Sequence, residues 1–307
     1  MTIIISAGNN EQVIQFSDRR LSSAGVVVDD SSNKATAFTC ADGRFAVGYT
    51  GLARSGNFGL QEWLVDALGR CASPDFTAFG TTDRLGAELT RLFRTHPAIR
   101  TLPAPTRRLT IMLSGYLTLP SGPRIANFLI SNFQDFIAGT DSQAAGPEFL
   151  IFDEIQRDET TKAPTCIQRV GAWKAMTEGD EVVFRRLLEK PAPLANIIDA
   201  GVGIVRRLSD SAKTANTVGK EVAVTIIPSD ASKEISTRIH IDSGRDEIRL
   251  VDMVSALPEQ AGTISVRNIE ISVNEPDPAR VAFQPKQGRN ERCSCKSGKK
   301  FKLCHGR

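Results

Sequence analysis

Four short apolar runs in the first fifty residues constrain this fold more than anything later in the chain: Thr2–Ser6, Gln12–Ser17, Lys34–Thr39 and Phe45–Tyr49. Each is too short for a typical helix, and Gly, Asn and Asp separate them, which predicts strands joined by turns. Two helical patterns follow. Leu60, Trp63, Leu64, Ala67 and Cys71 fall on one helix face, and Leu85, Leu89, Leu92 and Phe93 on another. Strands resume at Leu109–Leu113 and Arg124–Asn132, with Pro120-Ser-Gly-Pro123 as a hairpin-like connection, then at Phe149–Phe152 and Cys166–Val170. Glu181–Leu188 and the Leu194, Ile197, Ile198, Gly201, Val205, Leu208 pattern predict two more helices, and Val222–Ile227 a buried strand. Strands, two helices, strands, two helices and a strand suggest an α/β fold with two antiparallel sheets between helical layers, a four-layer sandwich.

The second constraint is chemical. Thr2 directly follows Met1, and its side chain is small, so removal of Met1 is expected to leave Thr2 with a free α-amine. One residue then carries a hydroxyl nucleophile and an amine that titrates near pH ~8, close enough to neutrality to act as its base. Asp18 stands sixteen positions after Thr2, and Lys34 thirty-two.

These residues resemble the β-type subunits of proteasomes and the simpler bacterial ring peptidase, members of the N-terminal-nucleophile hydrolases. In that family a mature N-terminal Thr is followed at the same two offsets by an Asp, inside an Asp-x-Arg motif, and by a Lys; here Asp18-Arg19-Arg20 and Lys34 stand at those positions. The resemblance is carried by Thr2 to about Gly51 and extends more loosely through Ile227. It implies the αββα sandwich, a catalytic set of Thr2, Asp18 and Lys34, and an oxyanion donor in the turn Tyr49-Thr50-Gly51, where Gly51 is preferred to Gly48. It also implies a peptide or protein substrate and a homo-oligomeric ring. The turns Val170-Gly171-Ala172-Trp173 and Ala215-Asn-Thr-Val218-Gly219 lack the Ser residues that family members often carry there, leaving Asp210 as a candidate support. The alternative reading is a catalytically silent sandwich kept as a binding or assembly scaffold.

The six cysteines divide unevenly. Cys40, Cys71 and Cys166 sit in apolar segments, whereas Cys293, Cys295 and Cys304 crowd into the last fifteen residues beside His305. That set suits tetrahedral Zn²⁺ in a reducing compartment better than a disulfide framework. The string from Gly288 to Gly306 resembles the SEC-C zinc module, which implies structural Zn²⁺ on Cys293, Cys295, Cys304 and His305. Eight basic residues against Glu291 give the stretch from Pro285 to Arg307 a charge of +7, so the rest of the +3 chain is −4. The basic tail invites an acidic partner: the resemblance to the module of the preprotein translocase implies an export chaperone, and the charge also permits a ribosomal surface, with no base-reading element for sequence-specific nucleic acid binding.

The expected organisation is therefore a hydrolase-like domain over 1–228, a β-rich addition and linker over 229–284, and a zinc module over 285–307. The addition has strand-like runs at Ser236–Ile241, Ile248–Val251 and Thr263–Val273. Without an apolar run near bilayer length or a signal-like start, a cytoplasmic protein that does not enter membranes is expected.

Overall fold

Ile3, Ile4 and Ile5 are all fully buried, and that explains the architecture. A strand apolar at consecutive positions must be covered on both faces, because neighbouring side chains point to opposite sides of a sheet. Ile3 and Ile5 pack in one cluster with the helices after residue 177, while Ile4 packs in another with Met112, Leu129 and Val170.

The computed structural model describes residues 2–23, 26–73, 75–156, 165–190, 192–241 and 250–257. The chain divides into two units, Met1–Glu275 and Pro276–Arg307; the second lies outside the described residues. In order, the first half runs β1 (Ile3–Gly8), β2 (Gln12–Asp18), β3 (Leu21–Ser23), β4 (Val26–Asp29), β5 (Ala35–Cys40), β6 (Gly43–Gly51), β7 (Arg54–Ser55), β8 (Phe58–Gly59), α1 (Leu60–Ala72), α2 (Ala78–Thr95) and α3 (Pro97–Arg100). The second half runs β9 (Leu109–Leu119), β10 (Gly122–Ser131), β11 (Gln134–Asp135), β12 (Thr140–Asp141), β13 (Leu150–Ile155), β14 (Cys166–Gly171), α4 (Glu178–Glu189), α5 (Leu194–Ser209), β15 (Val222–Pro228), β16 (Ser236–His240) and β17 (Asp252–Ala256).

One sheet has the order β14-β1-β2-β15-β16 and the other β13-β10-β9-β6-β5-β17. All their pairings are antiparallel except β17 on β5. Phe16, Val222 and Val224 of the first sheet pack with Phe184 of α4 and with Ile197, Val205 and Leu208 of α5. Phe38, Phe45, Val47 and Phe128 of the second sheet pack with Leu64 and Leu68 of α1 and with Leu85 and Leu89 of α2. The remaining faces meet through Val13 and Ile227 of the first sheet against Ala37, Ala46 and Ile125 of the second. Ala37 and Ala46 belong to this inner face, and Gln15 of β2 donates across it to the Ala46 carbonyl at 3.1 Å.

The helix starts follow local rules. Thr77 caps α2 by accepting from Gly80 N at 3.1 Å, and Thr177 and Asp180 form a reciprocal capping box at α4. Asp180 also accepts from Arg207 of α5 at 2.6 Å, tying the two helices of that layer together.

Two features add to the sequence reading. The sequence reading did not include the short ribbon of β3 and β4, whose Val26, Val27 and Val28 are exposed and belong to neither core layer. The described part of the 229–284 addition extends both sheets, β16 on β15 and β17 on β5. Its second strand begins at Asp252, past the Ile248–Val251 run, and the Thr263–Val273 run lies outside the described residues.

Candidate functional site

Strand register brings the sequence-selected residues together. Thr2 immediately precedes β1, Asp18 ends the neighbouring β2, and Lys34 immediately precedes β5 in the opposite sheet. All three are buried: Thr2 is 7% exposed, Asp18 0% and Lys34 1%. The Lys34 ammonium donates to Thr2 Oγ1 at 2.6 Å and to Asp18 Oδ2 at 3.4 Å, and also to the Arg20 carbonyl.

Asp18 is the better satisfied partner. Its Oδ1 accepts from Ile3 N at 2.8 Å, and its Oδ2 from Gly219 N at 3.0 Å and Arg20 N at 3.2 Å. Three backbone donors hold this carboxylate in place before Lys34 is counted. Burial pulls the Lys34 ammonium below its usual pKa of 10.5, a fall that the Asp18 charge and hydrogen bond oppose.

The Asp-x-Arg motif works through its last residue. The Arg20 guanidinium grips Asp30 with Nε and Nη2, and Nη1 donates to the carbonyls of Asn216 and Val218, both at 3.2 Å. Ala215 and Asn216 have positive φ, 47° and 61°. Arg20 therefore clamps the loop that delivers the Gly219 N–H to Asp18.

The Thr2 carbonyl is fixed from the other side, accepting from Ala172 N at 2.9 Å and Thr50 Oγ1 at 3.2 Å. Gly171 has φ +85°, and a Cβ there would stand 2.0 Å from the Thr2 carbonyl oxygen. No larger residue fits this approach.

Gly51 ends β6 with φ +111°. It stands opposite Leu109 while Leu52 N donates to the Arg108 carbonyl at 2.9 Å, so the alternation of an antiparallel ladder turns the Gly51 N–H away from β9. On that side β5 starts at Ala35, opposite Gly48, and no longer accompanies β6 at Gly51. A cleft of about 420 Å³ opens nearby, with Asn33, Tyr49, Ala53, Gln61, Leu250 and Asp252 among its walls. Asp252 Oδ2 accepts from Asn33 at 2.8 Å and Gln61 at 2.6 Å, and burial raises its carboxyl pKa.

Sequence reasoning missed Thr50, the Arg20 clamp, Gly219 as a donor and Asp252. The basic residue following Asp18-Arg19 was the one local hint; the others depend on chain-distant contacts. Asp210 is not part of this cluster. It caps α5 and pairs with Lys220 at 3.1 Å, with 66% of its side chain exposed. Cys293, Cys295, Cys304 and His305 lie outside the described residues, and among the described residues no group of His, Cys, Asp and Glu is placed to hold a metal. No helix among the described residues is long and apolar enough to cross a membrane.

Residues 289–307 match the SEC-C motif. A curated relative, protein translocase subunit SecA of Coxiella burnetii (strain RSA 493 / Nine Mile phase I), is 54% identical over 41 residues. That match covers 12% of this chain and 4% of the relative. Among solved structures, Anbu (ancestral beta-subunit) from Yersinia bercovieri aligns at 15% identity and TM-score 0.45, covering 74% of this chain and 81% of that one. An Anbu (Gly-1) mutant from Hyphomicrobium sp. strain MC1 aligns at 11% identity and TM-score 0.45, covering 74% and 82%.

Proposed function

We propose that this chain is a threonine-type amidohydrolase, a peptidase of the αββα N-terminal-nucleophile kind, with a zinc-bound basic tail for recruitment. The observation that carries the reading is the 2.6 Å contact of the Lys34 ammonium with the Thr2 hydroxyl, inside a buried cluster anchored by Asp18. With Met1 removed, the Thr2 hydroxyl attacks a substrate carbonyl and its proton passes to the α-amine, directly or through a water. Lys34 lowers the pKa of the hydroxyl and amine, and Asp18 holds Lys34 aimed. The oxyanion takes the Gly51 N–H. Collapse breaks the amide C–N bond with the proton going to the leaving amine, and water then hydrolyses the ester on Thr2.

Three thiolates and an imidazole fit tetrahedral Zn²⁺, so Cys293, Cys295, Cys304 and His305 would hold the metal and fill its coordination. The ion serves the folding of the tail and takes no part in cleavage. The acidic body and basic tail support a role in collecting acidic clients or docking on a chaperone or ribosome. The body is expected to assemble into a closed homo-oligomer in the cytoplasm, and a monomer mass by light scattering at micromolar concentration would remove the assembly.

The second reading, a silent scaffold, is favoured by two observations: Asp210 faces Lys220 instead of the cluster, and the two turns expected to carry Ser have none. Intact mass of the purified protein separates the readings first, because retained Met1 blocks both nucleophile and base. With Met1 absent, Thr2→Ala should abolish hydrolysis of amide reporters without changing the circular dichroism spectrum. Activity that survives Thr2→Ala names a different nucleophile.

A further inference from the structure

Arg91 to Arg108 holds five arginines and no acidic residue, within a body that is acidic overall. Three of them come from successive elements: Arg94 from the last turn of α2, Arg100 from α3, and Arg107 from the short 3-10 turn Ala104–Arg107. They line one cleft of about 500 Å³, together with Phe93, Asn132 and Gly146. That volume lies within the range of small-molecule sites, roughly 300–1,000 Å³.

The floor of this cleft is built. Asn132 Oδ1 accepts from Leu109 N at 2.9 Å, and its Nδ2 donates to the Arg107 carbonyl at 3.0 Å. Gly146 N donates to the Asn132 carbonyl, and Ala145 N to the Ala104 carbonyl. The segment bearing Arg107 and the facing loop are thus pinned to the same asparagine.

The charges are poorly answered. Arg94 meets Glu148 at 2.9 Å, but both side chains are more than half exposed, so solvent weakens the pair. Arg107 Nε is buried and has no hydrogen-bond acceptor. Arg100 is exposed and forms no ion pair among the described residues. Forked guanidinium donors lining one pocket suit a tetrahedral oxyanion.

We propose that this cleft is a binding site for a phosphomonoester, with its phosphate held by Arg94, Arg100 and Arg107 and the remainder of a small ligand lying against Ala145 and Pro147. The site is separate from the Thr2 cluster, although Arg108, next in the chain, accepts the Leu52 N–H beside Gly51.

The test is isothermal titration of the full-length, zinc-loaded protein with glycerol 3-phosphate, inorganic phosphate and acetate at matched ionic strength. Arg100→Gln, Arg107→Gln and, as a distant control, Arg185→Gln are titrated alongside; the basic tail is the same in all. Saturable binding of glycerol 3-phosphate, tighter than inorganic phosphate and absent for acetate, is expected. Arg100→Gln and Arg107→Gln should each weaken it at least about tenfold, the loss expected for a charged hydrogen bond, with Arg185→Gln unchanged. Because Arg100 is exposed, its variant remains informative if Arg107→Gln fails to fold. Equal binding by wild type and Arg100→Gln would assign the phosphate to the tail and overturn the site. Inorganic phosphate binding as tightly as the ester, acetate competing with it, or no saturable binding would each overturn the phosphomonoester assignment.

Discussion

Removing either partner of the Asp18–Lys34 pair should stop catalysis, but the stability costs should differ, and the geometry sets the order. Asp18→Ala leaves the fully buried Lys34 ammonium without its carboxylate and strips an acceptor from the N–H groups of Ile3, Arg20 and Gly219. An uncompensated buried charge costs about 3–5 kcal/mol, and each orphaned buried donor about 1–3 kcal/mol. These terms overlap, so a total of at least about 4 kcal/mol is expected. Lys34→Met keeps the apolar stem and removes the ion whose burial is unfavourable, while Asp18 retains three backbone donors. Its cost should be clearly smaller than that of Asp18→Ala, because the carboxylate left behind keeps its three backbone donors. Guanidinium unfolding with an unchanged slope reads the difference directly. A pH series supplies the second arm. The folded-state pKa of Lys34 lies below its unfolded value of 10.5. Below the folded pKa both states hold the proton and the full penalty stands; between the two values the unfolded chain binds more protons, so stability rises with pH up to about 10.5. Wild type should therefore gain on Lys34→Met across the alkaline window that ends there. If Lys34→Met costs as much as Asp18→Ala, or the two proteins keep a constant difference through that window, the assignment of Asp18 as the independently anchored partner is refuted.

Gly171→Ala should be among the most damaging glycine substitutions: its Cβ would stand 2.0 Å from the Thr2 carbonyl at φ +85°, so reporter cleavage should fall with Thr2 still present by mass. Arg20→Gln loses the grip on the 216–218 carbonyls, and hydrogen exchange at the Gly219 amide should accelerate before global unfolding does. Chelation should release one Zn²⁺ per chain, measured by a metallochromic dye, and leave cleavage of a small reporter at full rate. A chain ending near Gln287 should match it, and both should lose pull-down partners; lost reporter cleavage in either would tie the tail to the catalytic body.

Much of the site could be read from the chain because its key residues sit at the ends of short strands. Asp18 closes β2 and Lys34 opens onto β5, so their offsets from Thr2 reflect strand and turn lengths that apolar runs and turn residues reveal. The helix faces on Leu64, Leu89 and Ile198 were legible for the same reason, since periodicity records which side is buried. Ligand chemistry likewise singles out Cys293, Cys295, Cys304 and His305 as candidate zinc ligands, and these lie outside the described residues. Tertiary structure alone decided that Gly219, 201 positions from Asp18, donates to its carboxylate, that Arg20 clamps the loop carrying it, and that Thr50 and Ala172 hold the Thr2 carbonyl. It also decided that β17 runs parallel to β5 and brings Asp252 to Asn33. Backbone amides look alike in every residue, and a parallel edge pairing leaves no periodic mark. Such contacts exist only when chain-distant segments are packed, so local composition cannot encode them.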